Sequence, residues 1–279
     1  MLKGGFKKLA SYPRSVLLGV VSAFLLLWAV SQTGPLEDLP TQSFFRLTKT
    51  VKIKICEGKK KRKGKKNKSN VCIESEFGMT ASAFVVGRGP GDDGAYLMTA
   101  AHVCDSTDDL KNVRIDPLQK IFHKPQVSLI SEEYRGSDIL GAVHHLSLVY
   151  ATSPNEDDIC ILYSGSVREA PLVMAAAMPN NGEKVYNMAA PTGYSFKNMV
   201  PIFEGRYSGI NPEGWAIYTI PVTGGSSGSP VLNKNGEVVG MIVMRLSRFH
   251  HVALSPQRAT MESLIGEATK KHQSLISEK

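Results

Sequence analysis

Gly224-Gly225-Ser226-Ser227-Gly228-Ser229-Pro230-Val231-Leu232 places a serine inside a glycine-framed turn that runs into an apolar strand. A serine that is to act as a nucleophile must stand on a tight turn, with its own N–H and a neighbouring N–H free to hold the oxyanion formed when it attacks a carbonyl. Glycines permit such a turn because a residue without a Cβ enters backbone conformations closed to the others. On this reading Gly225 exposes its amide two residues before Ser227, and Gly228 turns the chain away without a side chain in the path of a substrate. Pro230 fixes the exit into the strand. Ser227 is therefore the candidate nucleophile, and the amides of Gly225 and Ser227 are the candidate oxyanion hole.

A serine hydroxyl is inert until a base takes its proton, and the base needs a carboxylate on its other ring nitrogen to fix its tautomer and stabilise the imidazolium. Upstream, Leu97-Met98-Thr99-Ala100-Ala101-His102-Val103-Cys104 carries a strand into small residues and a histidine. Between that histidine and the serine, Asn155-Glu156-Asp157-Asp158 leads into the apolar run Ile159-Cys160-Ile161-Leu162. Taken singly, His102 reads equally well as a satisfied core histidine, and the acids as a solvated turn. With the serine turn present, His102 is the candidate base and Asp158 the candidate orienting acid.

Around these islands the chain is rich in short β-type runs, among them Ala83–Val86, Tyr96–Thr99, Leu146–Tyr150, Lys184–Met188, Trp215–Ile220 and Val238–Val243. Turn clusters such as Gly87–Gly94 and Asn233-Lys234-Asn235-Gly236 separate them. Many short strands with turn signals point to an all-β antiparallel barrel or sandwich. Residues 51–77 read as a hairpin, since Val51–Cys56 and Val71–Glu74 alternate apolar and polar on either side of a basic tip. Residues 257–275 depart from the pattern, with Met261, Leu264, Ile265 and Ala268 spaced as on an amphipathic helix. No internal repeat is found.

In the order His, Asp, Ser, the segments Thr99–Cys104, Asp157–Leu162 and Gly224–Val231 resemble the chymotrypsin-like (trypsin-like) serine peptidases, more closely their Deg/HtrA-type and viral relatives than the digestive enzymes. Ser82–Gly87, Gly182–Phe196 and Glu237–Val243 also look like the family's counterparts, so the resemblance covers roughly residues 75–255. It implies two six-stranded β-barrels with the active site in the cleft between them. His102 and Asp158 would come from the first barrel or its junction, and Ser227 from the second. It also implies a serine endopeptidase that hydrolyses peptide bonds through an acyl-enzyme, acting on protein or peptide substrates with no metal or cofactor. Asp158 is preferred to Asp157 because the family's acid stands directly before the apolar strand.

Where the chain departs from the family, expectations change. Ser226 stands where the digestive enzymes carry an aspartate, so activation by a newly cut N-terminus is not available. Too few residues follow His251 for a PDZ-like domain. By alignment, Pro221, Val222 and Thr223, with Val243, Met244 and Arg245, line the primary specificity pocket. With no acid at its floor, a preference for Lys or Arg is disfavoured and small or apolar side chains are expected.

Composition bounds the alternatives. In 279 residues, 42% hydrophobic and 21% charged, there is apolar material for one sizeable core, against a disordered chain or a disulfide scaffold. The net charge of +8 comes from the eight basic residues between Lys59 and Lys68, for without them 25 basic residues face 25 acidic ones. A fold that grips nucleic acid over its whole surface is excluded, and with no interleaved aromatics the tip offers no base stacking and no specific nucleic-acid binding. Lys59–Lys68 reads as a solvated loop, or more sharply as a contact for an anionic surface. Asn67-Lys68-Ser69 is a formal glycosylation sequon.

At the N-terminus a basic segment, residues 1–15, precedes an uncharged run that makes residues 16–31 a transmembrane anchor or signal. The run Val16–Val30 reaches about 22 Å along a helix axis against about 30 Å of hydrocarbon. An uncleaved single-pass anchor is the first reading, Trp28 suiting an interface. Ala29-Val30-Ser31 keeps a cleaved signal, and hence a secreted protein, as the alternative. The positive flank keeps the N-terminus cytoplasmic, so residues after a linker at 32–45 face outward, and 46–279 form the peptidase domain. That compartment permits disulfides, and the four cysteines allow three pairings: Cys56 with Cys72 would close the basic hairpin, a second bridge between Cys104 and Cys160 is open, and free buried thiols are the alternative. His123, His144, His145, His250, His251 and His272 lack a metal-ligand pattern and read as surface or structural. The competing function is a catalytically idle module of the same fold that binds through its basic hairpin. An esterase of the α/β-hydrolase type is disfavoured, because its Ser, Asp, His order is absent.

Overall fold

Alternation in Phe44–Cys56 (β1) turns Phe45, Leu47, Val51, Ile53 and Ile55 to one face, each at most 2% exposed, and Lys52 and Lys54 to the other. Period-two burial of this kind is what a strand with one face on a core requires. A computed structural model describes residues 39–57, 71–105 and 125–277. The segment 1–15, the anchor or signal at 16–31 and the basic tip Lys59–Lys68 lie outside the described residues, as does the first half of the linker. β1 begins inside the span read as linker, after a single 3₁₀ turn at Thr41–Ser43. Residues 40–279 form one compact unit.

β1 pairs along its whole length with Cys72–Arg88 (β2), from Cys56 opposite Cys72 to Phe44 opposite Phe84. The far end of β2 passes on to Ala95–Ala100 (β3), whose six residues are all buried. A one-turn helix, Ala101–Cys104 (α1), follows, and then Gln126–Ser137 (β4), Val143–Ala151 (β5) and Ile159–Ser164 (β6). The order β1-β2-β3-β6-β5-β4 closes on itself, because β4 pairs back to β1. Inside this barrel Lys49 is wholly buried, with its ammonium 3.7 Å from the Glu132 carboxylate and over the ring of Tyr134.

The second half comprises Lys184–Met188 (β7), Ile202–Ile210 (β8), Ala216–Tyr218 (β9), Ser229–Leu232 (β10), Val238–Ile242 (β11), Met244–Leu246 (β12) and Phe249–Ser255 (β13). They form one seven-stranded sheet in the order β11-β10-β7-β8-β9-β13-β12. Its two edges, β11 and β12, are consecutive in the chain and separated only by Val243. The sheet is therefore curled and barrel-like, with its two edge strands joined through one residue and left unpaired with each other among the described residues. The seventh strand arises because one stretch, 238–246, is broken at Val243, whose N–H turns to Leu254 O at 3.0 Å. Val185, Tyr218, Ile220, Val231, Val239 and Ile242 fill the interior. The Tyr218 hydroxyl donates to Val239 O at 2.7 Å, and burial pushes its pKa well above the phenol's ordinary value.

The C-terminal helix, Arg258–Ser277 (α2), buries Met261, Leu264 and Ala268, the stripe read from the sequence. Its second half reaches the first barrel, where the Tyr96 hydroxyl meets Nδ1 of His272 at 2.9 Å and the His272 ring lies 4.7 Å from that of Tyr163. Cys56 is bonded to Cys72 and Cys104 to Cys160. Among the described residues, no helix is long and apolar enough to cross a membrane.

Candidate active site

Antiparallel pairing of β3 with β6 sets Ala100 opposite Ile159, so the residues just beyond these strand ends, His102 and Asp158, meet. The Ala101 N–H donates to Asp158 O at 3.0 Å, and the Cys104–Cys160 disulfide joins the same two segments two residues further along each. Asp158 is 3% exposed and holds φ +53°, a left-handed backbone that aspartate tolerates better than most residues. This conformation points both carboxylate oxygens at one residue. Oδ1 accepts the His102 main-chain N–H at 2.8 Å, and Oδ2 lies 2.8 Å from His102 Nδ1. The neighbouring Asp157 is only half-buried and takes no part.

His102 Nε2 lies 2.9 Å from Ser227 Oγ. With Nδ1–H donated to the carboxylate, Nε2 carries the lone pair and the hydroxyl donates to it, which is the protonation pattern an activated serine needs. Ser227 precedes β10 in the second sheet, so His102 and Asp158 belong to the first barrel and Ser227 to the second.

The serine turn is held by groups that have no local signature in the sequence. Gly225 and Gly228 both have positive φ, +93° and +83°. A Cβ on Gly225 would lie 2.4 Å from Ala190 O, and one on Gly228 would lie 2.1 Å from Ser82 O, so both positions are closed to any side chain. Ser82, buried on β2, is the hub. Its N–H donates to Ser227 O at 2.8 Å, its Oγ donates to Gly225 O at 2.9 Å, and the same Oγ accepts the Ala190 N–H at 2.9 Å. Thr99 Oγ1 in turn donates to Ser82 O at 2.8 Å. Among the described residues neither the Gly225 nor the Ser227 N–H donates a hydrogen bond.

A cavity of about 410 Å³ opens beside Ser227, lined by Val222, Thr223, Gly224, Ile242, Val243, Met244, Arg245 and Ser247. Five of the six expected pocket residues are in this lining; half-buried Pro221 is not, while Gly224, Ile242 and Ser247 are additional. Away from the cleft, Asp138, His144 and Glu169 each offer a donor atom within 4.8 Å of the others, a spacing compatible with a metal ion. Hydrogen bonds already engage this group, since Asp138 Oδ1 accepts the Ala142 N–H and His144 reaches Asp138 Oδ2 and Ser166 Oγ.

Comparison with known proteins places the chain in a family. A serine endoprotease from Yersinia pestis is similar in structure with a TM-score of 0.53 at 11% identity, over 85% of this chain and 65% of that one. The chain thus spans just under two thirds of that enzyme's length. An inactive form of Rv3671c from M. tuberculosis H37Rv aligns with a TM-score of 0.47 at 17% identity, over 68% of this chain and 82% of that one. No curated protein sequence matches the chain significantly. The trypsin-like peptidase domain profile matches residues 81–241, more than half of the chain and inclusive of the hydrogen-bonded Asp, His and Ser. The chain belongs to the trypsin-like peptidase family, with the fold of the chymotrypsin-like serine peptidases.

Proposed function

We propose that this chain is a serine endopeptidase in which Ser227, His102 and Asp158 form the catalytic triad. The observation that carries the reading is the continuous relay from Asp158 through His102 to Ser227 at 2.8 and 2.9 Å, beside two amides that have no other partner among the described residues. Ser227 Oγ attacks the scissile carbonyl carbon while Nε2 of His102 takes its proton. The imidazolium so formed is stabilised by the buried Asp158 carboxylate. The Gly225 and Ser227 N–H groups hold the oxyanion, each donor contributing about 3 to 4 kcal/mol to the transition state. His102 then protonates the departing amine. Water, deprotonated by the same ring, hydrolyses the acyl-enzyme and restores Ser227.

β12 supports an extended peptide as substrate. Among the described residues it is an edge strand that pairs only with β13, and it also lines the pocket, so its free side presents backbone groups to a chain that adds as a further strand. Nothing observed favours an idle binding module. A fluorophosphonate probe tests the proposal on the full chain in detergent. Covalent labelling is expected for the parent and its loss for both Ser227→Ala and His102→Ala; a folded parent that resists the probe defeats it.

We also propose that residues 16–31 hold the enzyme in a membrane, with the peptidase domain on the outer, oxidising side. The two disulfides support this placement, since such bonds persist outside reducing compartments. In cells, a protease added outside should degrade the domain while the membrane is intact. Protection from it would place the domain inside. Lys59–Lys68 is proposed to touch anionic lipid or polymer.

A further inference from the structure

We propose that the pocket beside Ser227 selects an acidic side chain on the acyl side of the scissile bond, with Arg245 as the recognising charge and His250 as the residue that positions it. The inference rests on the serine endopeptidase reading and names the substrate class of that site. The pocket's inner wall is neutral and apolar, formed by Val222, Ile242 and Val243, each at most 6% exposed. By itself that wall supports the expectation of small or apolar side chains. The rim changes the balance, because Arg245 is one of the lining residues and no carboxylate is.

Arg245 is held in place but not neutralised. Its Nη1 contacts Nδ1 of His250. A guanidinium has no acceptor, so it is the donor, and His250 must present a lone pair there. The partner of the cation is therefore an imidazole nitrogen and not a counter-charge, and among the described residues no carboxylate pairs with Arg245 or His250. His250 is itself anchored to the pocket wall, its carbonyl accepting the Val222 N–H at 2.9 Å. The adjoining chain has the same sign, since Arg248 follows the lining residues Arg245 and Ser247 and no acidic residue stands between Glu237 and Glu262. A planar guanidinium with free N–H groups fits a carboxylate in bidentate fashion and repels Lys and Arg. Thr223 and Ser247 supply hydroxyls in the same lining.

The test is cleavage-site profiling with the full chain on peptides from a denatured proteome, followed by matched peptides that differ only in Glu, Gln, Leu or Lys before the cut. Glu is expected to exceed Gln in kcat/KM by roughly tenfold to a hundredfold, with the advantage shrinking as salt rises. Arg245→Gln should erase the difference between the Glu and Gln peptides, and Arg245→Glu should move the preference to Lys. His250→Ala should raise KM for the Glu peptide and leave that for the Gln peptide unchanged, which a general loss of structure would not do. Cleavage with no preference for Glu, or a preference that survives Arg245→Gln, overturns this inference alone. Failure of both labelling and cleavage defeats the peptidase reading and this one with it.

Discussion

Replacing Asp158 by asparagine tests the geometry of the relay more sharply than deleting any member of it. The two carboxylate oxygens have separate tasks, one accepting the His102 main-chain N–H and the other facing Nδ1 of the ring. An asparagine has one oxygen and one NH₂. The main-chain N–H cannot accept a hydrogen bond, so the oxygen must stay beneath it and the NH₂ must turn to the ring. Nδ1 then accepts, the ring proton moves to Nε2, and Nε2 becomes a donor toward Ser227 Oγ instead of a base. Recovering the active tautomer sets N–H against N–H in a buried position and forfeits a hydrogen bond to a charged group, terms of about 1 to 3 and about 1.5 to 3 kcal/mol. Together these terms raise the barrier by about 2.5 to 6 kcal/mol before the lost stabilisation of the imidazolium is added, a factor of roughly a hundred to ten thousand or more in kcat/KM, and the cost of this swap in a triad of this type lies at the upper end of it. The fold should survive, because asparagine accepts a left-handed backbone at φ +53° as readily as aspartate does. The assay is kcat/KM on a cleaved peptide beside the fluorophosphonate reaction rate, with nitrogen NMR of His102 reporting the tautomer. A folded Asp158→Asn enzyme that loses less than tenfold refutes the reasoning.

Three further outcomes follow from the same contacts. Ser82→Ala strips a partner from the Gly225 carbonyl and from the Ala190 amide, so it should lower unfolding stability by about 2 to 4 kcal/mol in a denaturant titration and reduce kcat more than it changes KM. Gly228→Ala drives a Cβ into Ser82 O and should cost about 3 kcal/mol or more, whereas Gly224→Ala meets nothing within 4 Å and should stay within about 0.5 kcal/mol of the parent in the same titration. Burial holds the His272 ring below the ordinary histidine range, so the unfolded chain binds that proton more readily than the folded one. Stability should therefore fall as pH drops through and below about 6.5 and recover as it rises, and His272→Gln should flatten that part of the Tm profile.

The residues proposed to do the chemistry were legible because each carries a local mark. Ser227 has its glycines, Asp158 stands at the foot of an apolar strand, and His102 follows a strand that ends in small residues. Both disulfides were among the pairings the sequence left open, with free thiols as the alternative, and the folding of the segments around Cys56, Cys72, Cys104 and Cys160 decides for them. What supports the site was not legible. Ser82 is one serine in a β-type run, and its bond to Gly225 spans 143 residues of sequence, a relation that only the pairing of β2 against the second sheet creates. Arg245 could be aligned to the pocket, but its link to His250 depends on β12 folding back on β13. The end of the apolar run at Val243 was legible, but the short exposed strand β12 just beyond it was not, because Met244–Leu246 carries no alternation of buried and exposed residues.

The Cys104–Cys160 bond also changes what a cut in the backbone means. A peptidase at working concentration meets its own exposed turns, and the β4–β5 turn presents Leu140 at 65% exposure. Any single nick between Cys104 and Cys160 falls inside a covalently closed ring, 56 residues around by sequence separation. The chain would be severed but the molecule would not, and His102 and Asp158 would stay tethered across the wound. Cys56 and Cys72 close a second ring of this kind around the basic tip. On a denaturing gel, self-inflicted damage within either ring would appear only after reduction.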